Sequence, residues 1–171
     1  MHATRRELEF KDFFQAEAER LRRFALYLTG DREQAADLAQ EALVRTYRHW
    51  GRIKNNDPGP YARRIVVNLV RSAHRRRILE RKHEQDQRHR APVTPGAVEE
   101  WMRVMQALKT LSPIRRAVVV LRFYEDLTEP QIASALDRPL GTVKSDLHRA
   151  LAKLRPLLDT ETTFARAGEM S

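Results

Sequence analysis

The sequence predicts an all-α chain: two small helical domains joined by a flexible charged linker, the second containing a helix-turn-helix. Three observations carry that prediction. Apolar residues recur at three- and four-residue steps over most of the chain, and no convincing alternating run appears. The periodicity stops between about Arg81 and Gly96, where charged and amide side chains give way to Pro92, Pro95 and Gly96. Beyond Asp126 a short periodic segment, a proline-containing turn and a longer periodic segment follow in the order of a helix-turn-helix.

Taken in order, Phe10, Phe13, Phe14, Leu21, Phe24, Ala25 and Leu28 mark an opening helix, with Gly30 at its C-cap. Asp31 is placed to cap the next helix, with Gln34 three residues on. That second helix carries the cleanest stripe: Ala35, Leu38, Ala39, Ala42, Leu43, Thr46, Tyr47 and Trp50. A break from Gly51 to Pro60 is rich in Asn, Gly and Pro. Within it Asp57-Pro58 reads as N-cap and first helical residue. Tyr61, Ile65, Leu69, Val70 and Ala73 form the stripe of a third helix ending in Arg75, Arg76 and Arg77. Three facing stripes make a small bundle.

Residues 81–96 are the expected linker. Fully extended at about 3.4 Å per residue it would reach about 50 Å, or about fifteen base pairs of duplex. Two domains tied this way could sit on separate stretches of one duplex.

The second domain opens with Val98, Trp101, Met105 and Leu108 at helical spacing. Ser112-Pro113 is a helix start. Val118, Val119 and Val120 are β-prone, but that start and the helices on either side assign them to a helix. Thr128 and Gln131 form a capping box, and Leu127 can staple against Ile132. Ile132, Ala133 and Leu136 give a short helix, Asp137-Arg138-Pro139 the turn, and a longer helix runs from Pro139 to about Leu154. The expected boundaries are 1–80, a linker at 81–96, 97–158, and a tail at 159–171.

Composition narrows the function. The chain's 171 residues hold 32 Lys+Arg against 23 Asp+Glu, a formal charge of +9. That balance favours a polyanionic partner, nucleic acid first and an acidic membrane surface second. There is no cysteine, which removes disulfides and thiol chemistry and fits a reducing compartment. The longest apolar runs, such as Ala117 to Leu121, fall far short of a membrane span, and the N-terminus shows no apolar signal core. A cytoplasmic protein without membrane insertion is expected. The six histidines show no paired metal-ligand spacing, and no glycine loop suits a phosphate. No catalytic constellation, metal or cofactor is expected; the reading is of a non-enzyme.

On the last helix, Val143, Leu147, Ala150, Leu151 and Leu154 gather on one side. Opposite stand Thr142, Lys144, Ser145, His148, Arg149 and Ala152. Arg and Lys can fork onto guanine edges, and Ser and Thr can bond bases or phosphates; a plain solvated face is the competing reading. Asp146, on the same helix, is expected to repel phosphate and shift any sequence preference. Between Tyr61 and Arg90 ten Arg/Lys face only three acids. That stretch should track phosphates in a salt-dependent way.

Leu111 to Thr128, then Gln131-Ile132-Ala133, Gly141-Thr142-Val143-Lys144-Ser145 and His148-Arg149-Ala150 resemble the helix-turn-helix of the sigma-70 family, extracytoplasmic-function group. Response regulators share such a motif, so the first domain decides. Gly30 to Tyr47 resembles the sigma helix that docks on the clamp coiled coil of the polymerase beta-prime subunit; the resemblance puts Asp37, Gln40 and Glu41 on the docking face. Asp57 to Ser72 resembles the reader of the promoter −10 element. The resemblance gives this role to Arg63, Arg64, Asn68, Arg71, Arg75 and Arg76. It gives Lys54, Asn55 and Asn56 a part in holding a flipped-out base, for which Asn amides are suited; turn chemistry explains the same residues. The −35 element falls to Thr142, Lys144, Ser145, His148 and Arg149.

The likeness covers nearly all of Phe10 to Leu158, and Tyr61-Ala62-Arg63-Arg64 with Val67-Asn68 points to an actinobacterial sigma-E-like subgroup. Ser72, where many relatives carry an acid, and Asp146, where a basic residue is common, depart from the pattern. What the resemblance implies is a sigma factor whose partners are core RNA polymerase (beta-prime clamp and beta flap) and promoter DNA; from the linker alone, an anti-sigma factor that holds the two domains together is a further expected partner. Two rival readings stay open: a stand-alone helix-turn-helix regulator and a general basic nucleic-acid coat protein.

Overall fold

The computed structural model describes residues 4–53, 57–80 and 97–158, and those residues form eight helices without a strand. The expected linker, the loop Lys54-Asn55-Asn56 and the tail lie outside the described residues. Helix α1 (Arg5–Thr29) starts on a capping box in which the Thr4 amide donates to the Glu7 carboxylate at 2.6 Å. It ends at Gly30, whose φ of 70° favours glycine. A Cβ there would also stand 2.7 Å from Lys109 Cε. Helix α2 (Arg32–Arg48) is capped by Asp31, whose Oδ1 accepts from the Gln34 amide at 2.9 Å. Gln34 does not complete a capping box; its side chain accepts from Arg77 instead.

The break after α2 is shorter than the sequence suggests. Trp50–Ile53 make a one-turn helix, α3, because the buried Trp50 ring is held 5.2 Å from both Phe10 and Phe13. Helix α4 (Pro58–Glu80) begins where Asp57 Oδ1 accepts from the Gly59 amide. It buries Ala62, Val66, Val67 and Val70 against α1 and α2.

The C-terminal helices are α5 (Ala97–Lys109), α6 (Pro113–Phe123), α7 (Glu129–Leu136) and α8 (Leu140–Leu154). Val118, Val119 and Val120 are helical and buried on α6, as the Ser-Pro start requires. The Thr128 amide donates to Gln131 Oε1 at 2.8 Å, so α7 opens on the expected box. Asp137, at φ 54°, turns the chain into α8.

The two helix groups share one core rather than standing apart. Helix α4 packs on α6 and α7, and α1 on α5 and α6. Tyr27 of α1 meets Trp101 at 4.9 Å and Tyr124 at 4.5 Å between ring centres. Buried Arg116 of α6 donates to the carbonyls of Leu28, Leu108 and Leu111, joining the end of α1 to α5. Burial draws its guanidinium pKa down to about 10, which leaves it charged at neutral pH.

Candidate nucleic-acid interface

Two basic faces stand out, and helical geometry builds both. On α8 the buried side is Val143, Leu147, Ala150 and Leu154. This turns Lys144, His148 and Arg149 fully outward and leaves Thr142 and Ser145 half-buried. The Ser145 hydroxyl donates to the Thr142 carbonyl at 3.0 Å, so outward it offers only acceptor capacity. The five side chains named from sequence thus fall on one accessible surface.

On α4, Arg64, Asn68, Arg71 and Arg75 follow at four-, three- and four-residue steps and share one stripe. Asn68, Arg71, Arg75 and Arg76 are exposed. Arg64 lies at the end of that stripe and reaches the other helix group, donating to the carbonyls of Ala135 (3.0 Å) and Ser134 (2.7 Å) at the C-terminus of α7. A cleft of about 450 Å³ between α4 and α7 is lined by Asp57, Tyr61, Arg64, Leu127 and Gln131.

Arg63 is placed otherwise. It shares the buried side of α4 with Val66, Val67 and Val70, and its side chain is 8 % exposed. It donates to Glu125 at 2.8 Å and Glu17 at 3.1 Å, and Glu125 also accepts from Arg20 at 3.0 Å. In this arrangement Arg63 is not part of the basic surface. Glu17 and Glu125 were not singled out from sequence; the three- and four-residue spacing of Arg63 to Val66 and Val67 was the available signal.

Asp146 also departs from expectation. It is buried, with Arg115 at 3.2 Å and Arg138 at 3.6 Å. Its charge is answered within the fold instead of facing solvent.

On α2, Gln40 and Glu41 lie three and four residues beyond Asp37, and Val44 four and three beyond them, so the four share the side away from the core. Asp37, Gln40 and Val44 are exposed, and Glu41 pairs with Arg45 at 2.6 Å. Among the described residues no His/Cys/Asp/Glu group could hold a metal ion, and no helix is long and apolar enough to cross a membrane.

The chain thus carries a basic helix and a helix-turn-helix, with a polar stripe on a third helix. Residues 13–78 match the model of sigma-70 region 2, and residues 101–154 that of sigma-70 region 4. The chain belongs to the sigma-70 family and, within it, to the extracytoplasmic-function RNA polymerase sigma factors. It is 39 % identical over 165 residues to the RNA polymerase sigma-E factor of Streptomyces avermitilis, covering 95 % of this chain and 92 % of the relative. It is 33 % identical over 141 residues to the sigma factor SigL of Mycobacterium tuberculosis, covering 78 % of this chain and 79 % of that one. In fold it is similar to the sigma factor RpoE solved with the anti-sigma factor NepR from Bartonella quintana. There the TM-score is 0.68 at 23 % identity, over 89 % of this chain and 98 % of the other. CnrH, solved with the cytosolic domain of CnrY, gives a TM-score of 0.63 at 22 % identity, over 90 % and 89 % of the two chains.

Proposed function

We propose that the chain docks on core RNA polymerase through Asp37, Gln40 and Glu41 of α2. It then reads the −10 element with Arg64, Asn68, Arg71, Arg75, Arg76 and the loop Lys54-Asn55-Asn56. Thr142, Lys144, Ser145, His148 and Arg149 of α8 read the −35 element. The observation that carries this is the pair of exposed basic faces on α4 and α8 of a single sigma-70 chain. Residues 1–80 would form the first functional domain and 97–158 the second, with the beta-prime clamp meeting the first and the beta flap the second. The chain supplies specificity in the cytoplasm while the polymerase performs the chemistry.

Packing of α7 on α4 bears on the order of events. Arg64 is occupied by α7 carbonyls and Arg63 by Glu125, so full use of the −10 face requires the two helix groups to part. Docking on the polymerase supplies the competing contacts. An anti-sigma factor would do the reverse, holding the groups together.

Run-off transcription with purified core polymerase and genomic promoter fragments tests the proposal. Initiation that depends on this chain and on both promoter elements is expected. Tight, polymerase-independent binding to the same fragments without initiation would favour a stand-alone regulator; tight binding with little sequence preference would favour a coat protein.

A further inference from the structure

Asp146 is the only acid in α8, and it is 7 % exposed. Its Oδ1 accepts from Arg115 Nε at 3.2 Å. Its Oδ2 lies 3.6 Å from an Nη of Arg138, within ion-pairing range but beyond a hydrogen bond. Neither arginine belongs to α8. Arg115 comes from α6 and Arg138 from the turn that leads into α8, so one carboxylate joins α6, the turn and α8.

Neither arginine is sealed in: the side chains of Arg115 and Arg138 are 36 % and 28 % exposed, although Nε of Arg138 is buried. Their location is set by the helix. Thr142, Asp146 and Arg149 follow at four- and three-residue steps and share one stripe of α8. The arginines held by Asp146 therefore flank the outward face that carries Thr142 and Arg149. Two cations on one anion leave this flank net positive. A guanidinium has five N–H donors in a planar fork, so one that spends an edge on a carboxylate keeps donors for a phosphate.

We propose that Asp146 is a positioning residue for promoter binding. It holds Arg115 and Arg138 as a pair of phosphate-binding groups beside α8, so backbone contacts come from outside the helix that reads the bases. The proposal rests on the reading of α8 as the −35 helix. It reverses the simple electrostatic expectation for this residue. An acid that faced DNA would weaken binding, and neutralising it would strengthen binding. An acid that positions two arginines does the opposite.

The test uses holoenzyme reconstituted from core polymerase and the full chain, with promoter affinity measured by fluorescence anisotropy across a salt series. D146N is expected to bind several-fold more weakly on every −35 sequence, and D146E to recover most of the loss. R115A and R138A should each flatten the log-log salt slope by about one, the mark of a lost phosphate contact. Combining either with D146N should cost little beyond the single changes, because all three act through one arrangement.

Tighter binding by D146N would overturn the proposal. So would unchanged affinity and salt slope in R115A and R138A, two partly exposed positions that test it even where an Asp146 variant folds poorly. K144A and R149A separate the two readings. If these lose −35 discrimination while R115A and R138A behave as wild type, the positioning role falls and the −35 helix stands. If none of the four has an effect, both fall.

Discussion

Glu125, one turn before the helix-turn-helix, accepts a hydrogen bond at 2.8 Å from Arg63 of α4, and its side chain is 2 % exposed. The pair joins α4 to the segment leading into the helix-turn-helix, across 62 residues of sequence. Removing one partner of a buried ion pair costs about 3–5 kcal/mol, because the other is left uncompensated. Glu125→Ala leaves Arg63 with Glu17 as its carboxylate partner. The expected result is a weakened association of the two helix groups, read as a larger radius of gyration in small-angle scattering. A scattering curve identical to that of the wild-type chain would refute the role given to this pair.

Lys144 and Arg149 are exposed on α8 with their apolar neighbours turned inward. Replacing either with alanine should weaken recognition of the −35 element by about 1–3 kcal/mol if it contacts a base edge. Competition binding against single-base −35 variants checks this. Loss of discrimination at one or two base positions is expected, and equal weakening on all sequences would reassign the residue to phosphate contact.

On α2, Asp37 and Gln40 project from the side opposite the buried Ala35, Ala39 and Ala42. The double change to alanine should leave thermal unfolding nearly unaltered, since exposed positions away from special features shift stability by about 0.5 kcal/mol or less. Binding to core polymerase should fall. Co-elution with core at wild-type levels would remove these residues from the docking face.

Arg116 donates to carbonyls at the ends of two helices, Leu28 of α1 and Leu108 of α5, and to Leu111. Hydrogen bonds from a charged donor contribute about 1.5–3 kcal/mol each. Arg116→Ala should therefore cost several kcal/mol in urea unfolding. Arg116→Lys should rescue little, because an ammonium cannot reproduce the planar fork. Full rescue by lysine would mean that charge alone, not geometry, matters here.

Much of this was readable in the residues. The Ser112-Pro113 start outweighed the β-propensity of Val118, Val119 and Val120, and the Thr128–Gln131 box fixed where α7 begins. The outward face of α8 followed from its apolar spacing alone. What escaped were long-range choices. Tyr27, Trp101 and Tyr124 look like the core of their own helix groups, and nothing local says that they meet. The resemblance groups Arg63 with the other arginines of α4, although its spacing to Val66, Val67 and Val70 puts it inward. Asp146 looked like a defect in a basic face because its partners, Arg115 and Arg138, lie in other segments. Trp50 closes a short helix for the same reason: its anchors, Phe10 and Phe13, are far away in sequence.

The inward pairing of Arg63 has a bearing on how such a chain is shared out in a cell. A cation already matched by carboxylates displaces no counterions when a duplex approaches, and counterion release supplies essentially all of indiscriminate DNA affinity. Each arginine withheld in this way makes the chromosome, with its millions of unrelated sites, a poorer competitor for the chain. More of the chain then stays free of bulk DNA and available to polymerase.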